Sequence, residues 1–238
     1  MRPFLVAVAR PSGKIANDEQ RALRKLGHLD ASGLVPLTLD QPSVSLPDFS
    51  LYSGVIITGS PYNFLSTEKT DAQRWTEEHL LRLCERLLAA DFPTLALCFG
   101  LQMLAVAAGG TLTSAHPENM GAYPITLTEE GKKDPLTGQL PPSFYNYVAH
   151  AESLADIPDG LTVLASSPTT PVHLGRFGQN IYGTQHHPEI DTYGIRLRIE
   201  HYVGVYFDPA EYEDILSACT SVHTEHGLIP AFTQRYQR

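Results

Sequence analysis

The chain has 238 residues, 42% of them hydrophobic, which suits one large domain. A formal net charge of −9, from 26 acidic against 17 basic residues with no Lys/Arg run, argues against nucleic acid and anionic membrane surfaces as partners. Three cysteines, Cys84, Cys98 and Cys219, form neither a disulfide framework nor a C-x-x-C site, so a reducing cytoplasm is the expected location.

Phe4 to Ala9 reads as a first, central strand. Arg10-Pro11 breaks its apolar run too early for a signal peptide, and no segment approaches a membrane span. Asp18 to Gly27 reads as a helix with acids in its first turn. Leu34 to Leu39 is a second strand. Tyr52 to Thr58 is a third, apolar on both faces as parallel strands tend to be. It runs into the turn Gly59-Ser60-Pro61, and open parallel sheets place ligands at such strand ends. Thr70-Asp71-Ala72-Gln73 fits a capping box. Leu80, Leu83, Cys84, Leu87 and Leu88 then repeat at helical spacing, which makes Cys84 a core residue.

Thr94 to Leu97 is a short buried strand and Phe99 to Ala108 a helix stopped by Gly109-Gly110. Cys98 stands at the single residue between them. A strand turning so sharply into a helix lifts its side chain off the sheet and over the helix N-terminus. There the helix dipole and unpaired N–H groups favour a thiolate. The same residue also reads as one more buried cysteine, and the segment alone does not separate the two. The element order to this point predicts a doubly wound, mostly parallel sheet with right-handed crossovers.

Beyond Gly110 the segments become short, alternating and turn-rich: 123–128, 145–148, 161–166, 172–177 and 181–185. They predict a small antiparallel sheet beside the parallel core. Residues 192–202 and 209–219 read as closing helices, and 223–238 give no clear signal. In Gly183 to Glu189 an extended backbone would put His187 and Glu189 on one side, with Pro188 between them. A carboxylate beside an imidazole selects its tautomer and stabilises the imidazolium, and a cysteine nucleophile needs such a base. Alone, the pair reads sooner as a surface His–Glu contact, since most histidines are not catalytic; with Cys98 it completes a nucleophile, base and orienting acid. A metal site on His186, His187 and Glu189 is disfavoured by the absence of a further ligand cluster.

Three separated motifs carry a resemblance. Ile57 to Pro61, Leu97 to Gln102 (C-x-G-x-Q) and Gly183 to Glu189 (G-x-Q-x-H-P-E) are similar, in order, to the motifs of class I glutamine amidotransferases, the triad type of glutaminase found in GMP synthase and carbamoyl-phosphate synthetase. Asp134-Pro135-Leu136 and Ala149-His150 follow the same pattern, so the resemblance covers roughly residues 4–205. It implies an α/β fold of flavodoxin-like type, helices on both faces of a mostly parallel sheet, spanning residues 1–238 as one domain with a helical extension from about 205. It implies that Cys98 attacks a γ-glutamyl carbonyl, His187 moves the proton and Glu189 orients His187, with the backbone amides of Gly59 and Phe99 on the oxyanion. Gln102, His150 and Glu152 would border the glutamyl group. No cofactor or metal is implied; the partners are a small γ-glutamyl substrate such as glutamine and, for the released ammonia, a separate synthetase.

Two departures bear on the substrate. Where the family carries Glu-x-Gly before the strand at 123, this chain has Asn119-Met120-Gly121. Where it carries Ser-His-Gly-Asp, this chain has Ala149-His150-Ala151-Glu152, with an added Cβ at 151. They favour the alternative of a stand-alone γ-glutamyl peptide or amine hydrolase. A non-catalytic regulator on the same fold is countered by the intact Cys98, His187 and Glu189.

Overall fold

The computed structural model describes residues 1–238. The first half runs β1 (Phe4–Val8), α1 (Lys14–Leu26), β2 (Leu34–Thr38), β3 (Gly54–Ile57), α2 (Asp71–Ala90), β4 (Thr94–Leu97) and α3 (Phe99–Ala107). The second half runs β5 (Leu112–Thr113), β6 (Glu118–Leu127), α4 (Glu129–Lys133), β7 (Ser143–His150), β8 (Ser153–Leu154), β9 (Leu161–Ser166), β10 (Leu174–Phe177), β11 (Ile181–Thr184), α5 (Thr192–Tyr202), α6 (Tyr212–Thr220) and α7 (Leu228–Tyr236). The chain is an α/β protein, as its element order implies.

Nine strands form one sheet in the order β2-β1-β3-β4-β11-β10-β9-β6-β7, and β5 pairs with β8 in a small antiparallel sheet. β2, β1, β3, β4 and β11 are mutually parallel, and β10, β9, β6 and β7 continue the same sheet antiparallel. The antiparallel strands therefore extend the core sheet, where the segment pattern suggests a separate one beside it. β11 also departs from expectation: it lies parallel to β4, with Ile181 opposite Thr94 and Thr184 opposite Leu97. That register brings the chain after β11 alongside Cys98.

Alternation along β1 sends Phe4, Val6 and Val8 to one face and Leu5 and Ala7 to the other, and each face has its own core. Leu80, Leu83, Cys84 and Leu87 of α2 are fully buried in the second core, as their spacing requires. Each such side chain contributes roughly 1.5–3 kcal/mol on removal from water.

Three local expectations are corrected. α1 begins at Lys14 and has no acid in its first turn; Asp18 and Glu19 lie a turn further in and are buried. Thr70 accepts the Gln73 N–H at the start of α2, but the Gln73 amide goes to the Asn63 carbonyl and to Glu77, so the reciprocal half of the capping box is missing. Helix α7 occupies the segment without signal. Its Pro230 falls in the first turn, where no N–H is required, and Ile229, Phe232 and Tyr236 enter the first core against Phe4. No helix is long and apolar enough to cross a membrane.

Candidate active site

Cys98 has φ 49° and ψ −102°, in a region costly for a residue with a Cβ. Its surroundings hold it there. Its N–H donates to the Thr184 carbonyl at 2.6 Å, and its carbonyl accepts the Gln102 N–H at 3.2 Å. Gly100 lets α3 approach the sheet closely, since a Cβ there would stand 3.0 Å from the Ile57 side chain and 3.2 Å from that of Ala96. The sulfur thus sits at the N-terminus of α3, where the first N–H groups have no intrahelical acceptor.

The ring of His187 comes to the sulfur from β11. The chain leaves the extended conformation after Thr184, and the Ile190 N–H closes a turn on the His187 carbonyl at 3.3 Å. The expected alternation therefore does not operate; the turn itself folds Glu189 back. Glu189 Oε1 meets His187 Nδ1 at 2.7 Å, and the ring and Cys98 lie side by side, both within 4 Å of where a Gly59 Cβ would stand and both lining one cavity. The His187 N–H donates to the Tyr147 carbonyl on β7, fixing the backbone from the far side.

All three groups are buried. Burial works against a charge on His187, but Glu189 and Cys98 outweigh it and raise the imidazole well above its usual value. Burial likewise opposes a charged Glu189, and the His187 ring outweighs it, holding the carboxyl below its usual range. Gln185 Nε2 lies 3.4 Å from the Cys98 sulfur. Gln185 belongs to the third motif, but nothing in its spacing gives it that contact.

Gly59 follows β3 directly beside this pair. A Cβ on it would stand 3.0 Å from His187 Cε1 and 3.6 Å from Cys98 Cβ, so the ring position depends on glycine there. Phe99 is the first residue of α3, directly after Cys98. Cys98, Phe99 and His187 line a cavity of about 340 Å³, as do Ser60 and Pro61 of the Gly59 turn.

Gln102, His150 and Glu152 all line this cavity, but each is already engaged. Gln102 Nε2 donates to the Glu152 carbonyl at 2.6 Å and to Gln185 Oε1 at 3.3 Å. His150 Nε2 meets Glu118 at 2.8 Å. The Glu152 carboxylate accepts the N–H groups of Phe64 and Leu65 at 2.8 and 3.0 Å, so it pins the loop that follows the Gly59 turn. His186 packs inward, with Nδ1 on the His173 carbonyl and its ring edge-on to Phe144.

Sequence reasoning misses the charged layer behind the triad-like group. Arg10, at the end of β1, pairs with Glu19 at 2.9 Å and lines the cavity. Arg198 joins Glu19 at 3.3 Å and Asp18 at 3.0 Å. The available signal is Asp18-Glu19 on the helix beside the first strand, but these read only as acids of a helix's first turn.

The description "Glutamine amidotransferase class-I" is that of the family model matching residues 19–193. A glutamine-hydrolyzing GMP synthase subunit of Halobacterium salinarum is 33% identical over 109 residues, 45% of this chain; the alignment spans 58% of that relative. Another, from Haloquadratum walsbyi, is 27% identical over 78% of this chain and 89% of its own length. Among solved structures, a glutamine amidotransferase from Thermotoga maritima superposes with a TM-score of 0.76 at 18% identity, over 99% of this chain and 98% of that one, a likeness of fold. With the family model covering well over half of its length, this chain belongs to the class I glutamine amidotransferases.

Proposed function

We propose that the protein hydrolyses the γ-amide of a γ-glutamyl compound, glutamine being the reference substrate, through a glutamyl thioester on Cys98. The observation that carries this reading is the Glu189–His187 pair lying beside the strained Cys98, past the ends of the adjacent parallel strands β11 and β4. The thiolate attacks the γ-carbonyl carbon, a C–S bond forms, and the carbonyl electrons move to oxygen. The amides of Gly59 and Phe99 hold that oxyanion; losing one such donor costs about 10²–10³ in rate. As the tetrahedral species collapses the C–N bond breaks, and His187 gives its proton to the departing nitrogen. A water then attacks the thioester, with His187 taking its proton, and glutamate leaves as the thiol is restored. Glu189 keeps the imidazole oriented and its charged form favoured.

Gln102, His150 and Glu152 border the glutamyl end in this reading, Gln102 and Glu152 by shaping the wall through their mutual contact. No cofactor takes part. The GMP synthase relatives, which are named as subunits, support passage of the ammonia to a separate synthetase. Three unpaired, buried cysteines support a cytoplasmic setting. Following glutamate release from glutamine by the native protein and by Cys98→Ala tests the proposal: the substitution abolishes release if the reading holds, and unchanged release refutes it.

A further inference from the structure

The cavity is larger, and differently walled, than ammonia release needs. About 340 Å³ falls in the range of pockets that enclose drug-sized ligands, roughly 300–1,000 Å³, and glutamine is far smaller than those. Besides the polar residues near Cys98, the lining includes Ile190, Ile195, Tyr202, Phe207 and Ile215. They come from the segment around α5 and α6, and all but Tyr202 belong to, or pack against, a small apolar cluster distinct from the two main cores. Tyr202 stacks on Tyr206 with ring centroids 4.5 Å apart and planes 16° apart. The Tyr206 hydroxyl reaches the Pro61 carbonyl at 3.5 Å, two residues from Gly59, so the stack is tied to the turn that follows β3.

The charges near this wall discriminate further. Arg10 and Arg198 are the arginines lining the cavity, and both are already paired, Arg10 with Glu19 and Arg198 with Asp18 and Glu19, as His187 is with Glu189. Glu118, Glu152 and Glu211 add carboxylates to the lining. An amine carrying its own carboxylate finds no unpaired cation here, whereas an uncharged apolar body finds a matching wall.

We propose that the wall formed by Ile190, Ile195, Tyr202, Phe207 and Ile215 is a leaving-group subsite, and that the site takes γ-glutamyl amides of amines bearing an apolar or aromatic body. This rests on the thioester reading. The reaction is the same in balance: the C–N bond breaks, His187 protonates the amine nitrogen, the amine departs, and one water converts the thioester to glutamate.

The test compares the γ-methylamide, the γ-benzylamide and the γ-glycine conjugate of L-glutamate. All three release aliphatic amines, so leaving-group chemistry differs little between methyl and benzyl. The subsite predicts kcat/KM for the benzylamide at least about ten-fold above the methylamide, with the glycine conjugate the poorest of the three. Phe207→Ala and Ile215→Ala, both at half-buried positions, are each expected to cut the benzyl-to-methyl ratio by about five-fold or more. A ratio near one in the native protein, or a high ratio that neither variant moves, overturns the subsite while leaving thioester chemistry standing. Should no amide be hydrolysed, the thioester reading falls, and calorimetry on Cys98→Ala still decides the subsite: tighter binding of the benzylamide supports it, and equal or absent binding of the two overturns it.

Discussion

Glu118 stands opposite His150 in the pairing of β6 with β7, and its carboxylate takes the His150 ring nitrogen at 2.8 Å. A register shift between Glu118 and Gly121 absorbs one residue, so a carboxylate still stands near the start of β6 although the Glu-x-Gly spacing is lost. Glu118 also meets His173 at 3.3 Å and accepts from the Thr169 hydroxyl. Burial opposes its charge, but the hydrogen bonds from His150 and His173 outweigh it and hold the carboxyl far below its usual range.

Glu118→Gln keeps the shape and removes the charge. It is expected to destabilise the protein by about 1–3 kcal/mol and, by loosening His150 at the cavity wall, to raise KM more than it lowers kcat. Thermal melts with steady-state kinetics on the same preparation check both effects.

Glu189→Gln removes the carboxylate that favours the charged His187 ring. A fall in kcat of about 10²-fold or more is expected. Because Glu189 raises the His187 value, its loss moves the alkaline limb of the rate profile to lower pH. A pH–rate series on the variant reads that shift, which a purely structural role for Glu189 would not produce.

Gly59→Ala places a Cβ 3.0 Å from His187 Cε1. The ring must give way by a few tenths of an ångström, and a fall in rate short of the roughly 10²-fold that a full ångström costs is expected. The variant is expected to melt near the native temperature, so activity and stability separate.

Asp191 caps α5 by accepting the Gly194 N–H and pairs with Arg21 and Lys25. Burial opposes its charge, yet these partners bring the carboxyl down to about 2, against an ordinary value near 3.9. A depressed folded value means stability that is present above the ordinary value and is lost as pH falls toward 2. Asp191→Asn retains a capping side chain without the charge, so its melting temperature is expected to lie below the native one at neutral pH and to converge on it between about pH 4 and 2.

The parts of the molecule legible in the sequence are those with a local period or an ordered motif. The apolar stripe of α2 and the strand–Cys98–helix junction fall where expected because burial and turn geometry are set within a few residues. The parts that are not legible depend on contacts between distant segments. Asp18 and Glu19 face inward because Arg198, distant along the chain, meets both there, with Arg10 pairing to Glu19. α7 gives no signal because Pro230 resembles a helix breaker until its first-turn position is known. His187 and Glu189 do meet, through a turn that no alternation rule describes.

Covalent capture tests the central claim most directly. The native protein is mixed with excess γ-glutamyl substrate, acid-quenched within the first turnovers, and analysed by intact mass and peptide mapping. The account predicts a glutamyl adduct on the peptide carrying Cys98, absent from Cys98→Ala, with a faster build-up than decay when His187 is intact. An adduct on another residue, or glutamate release by Cys98→Ala at the native rate, contradicts it.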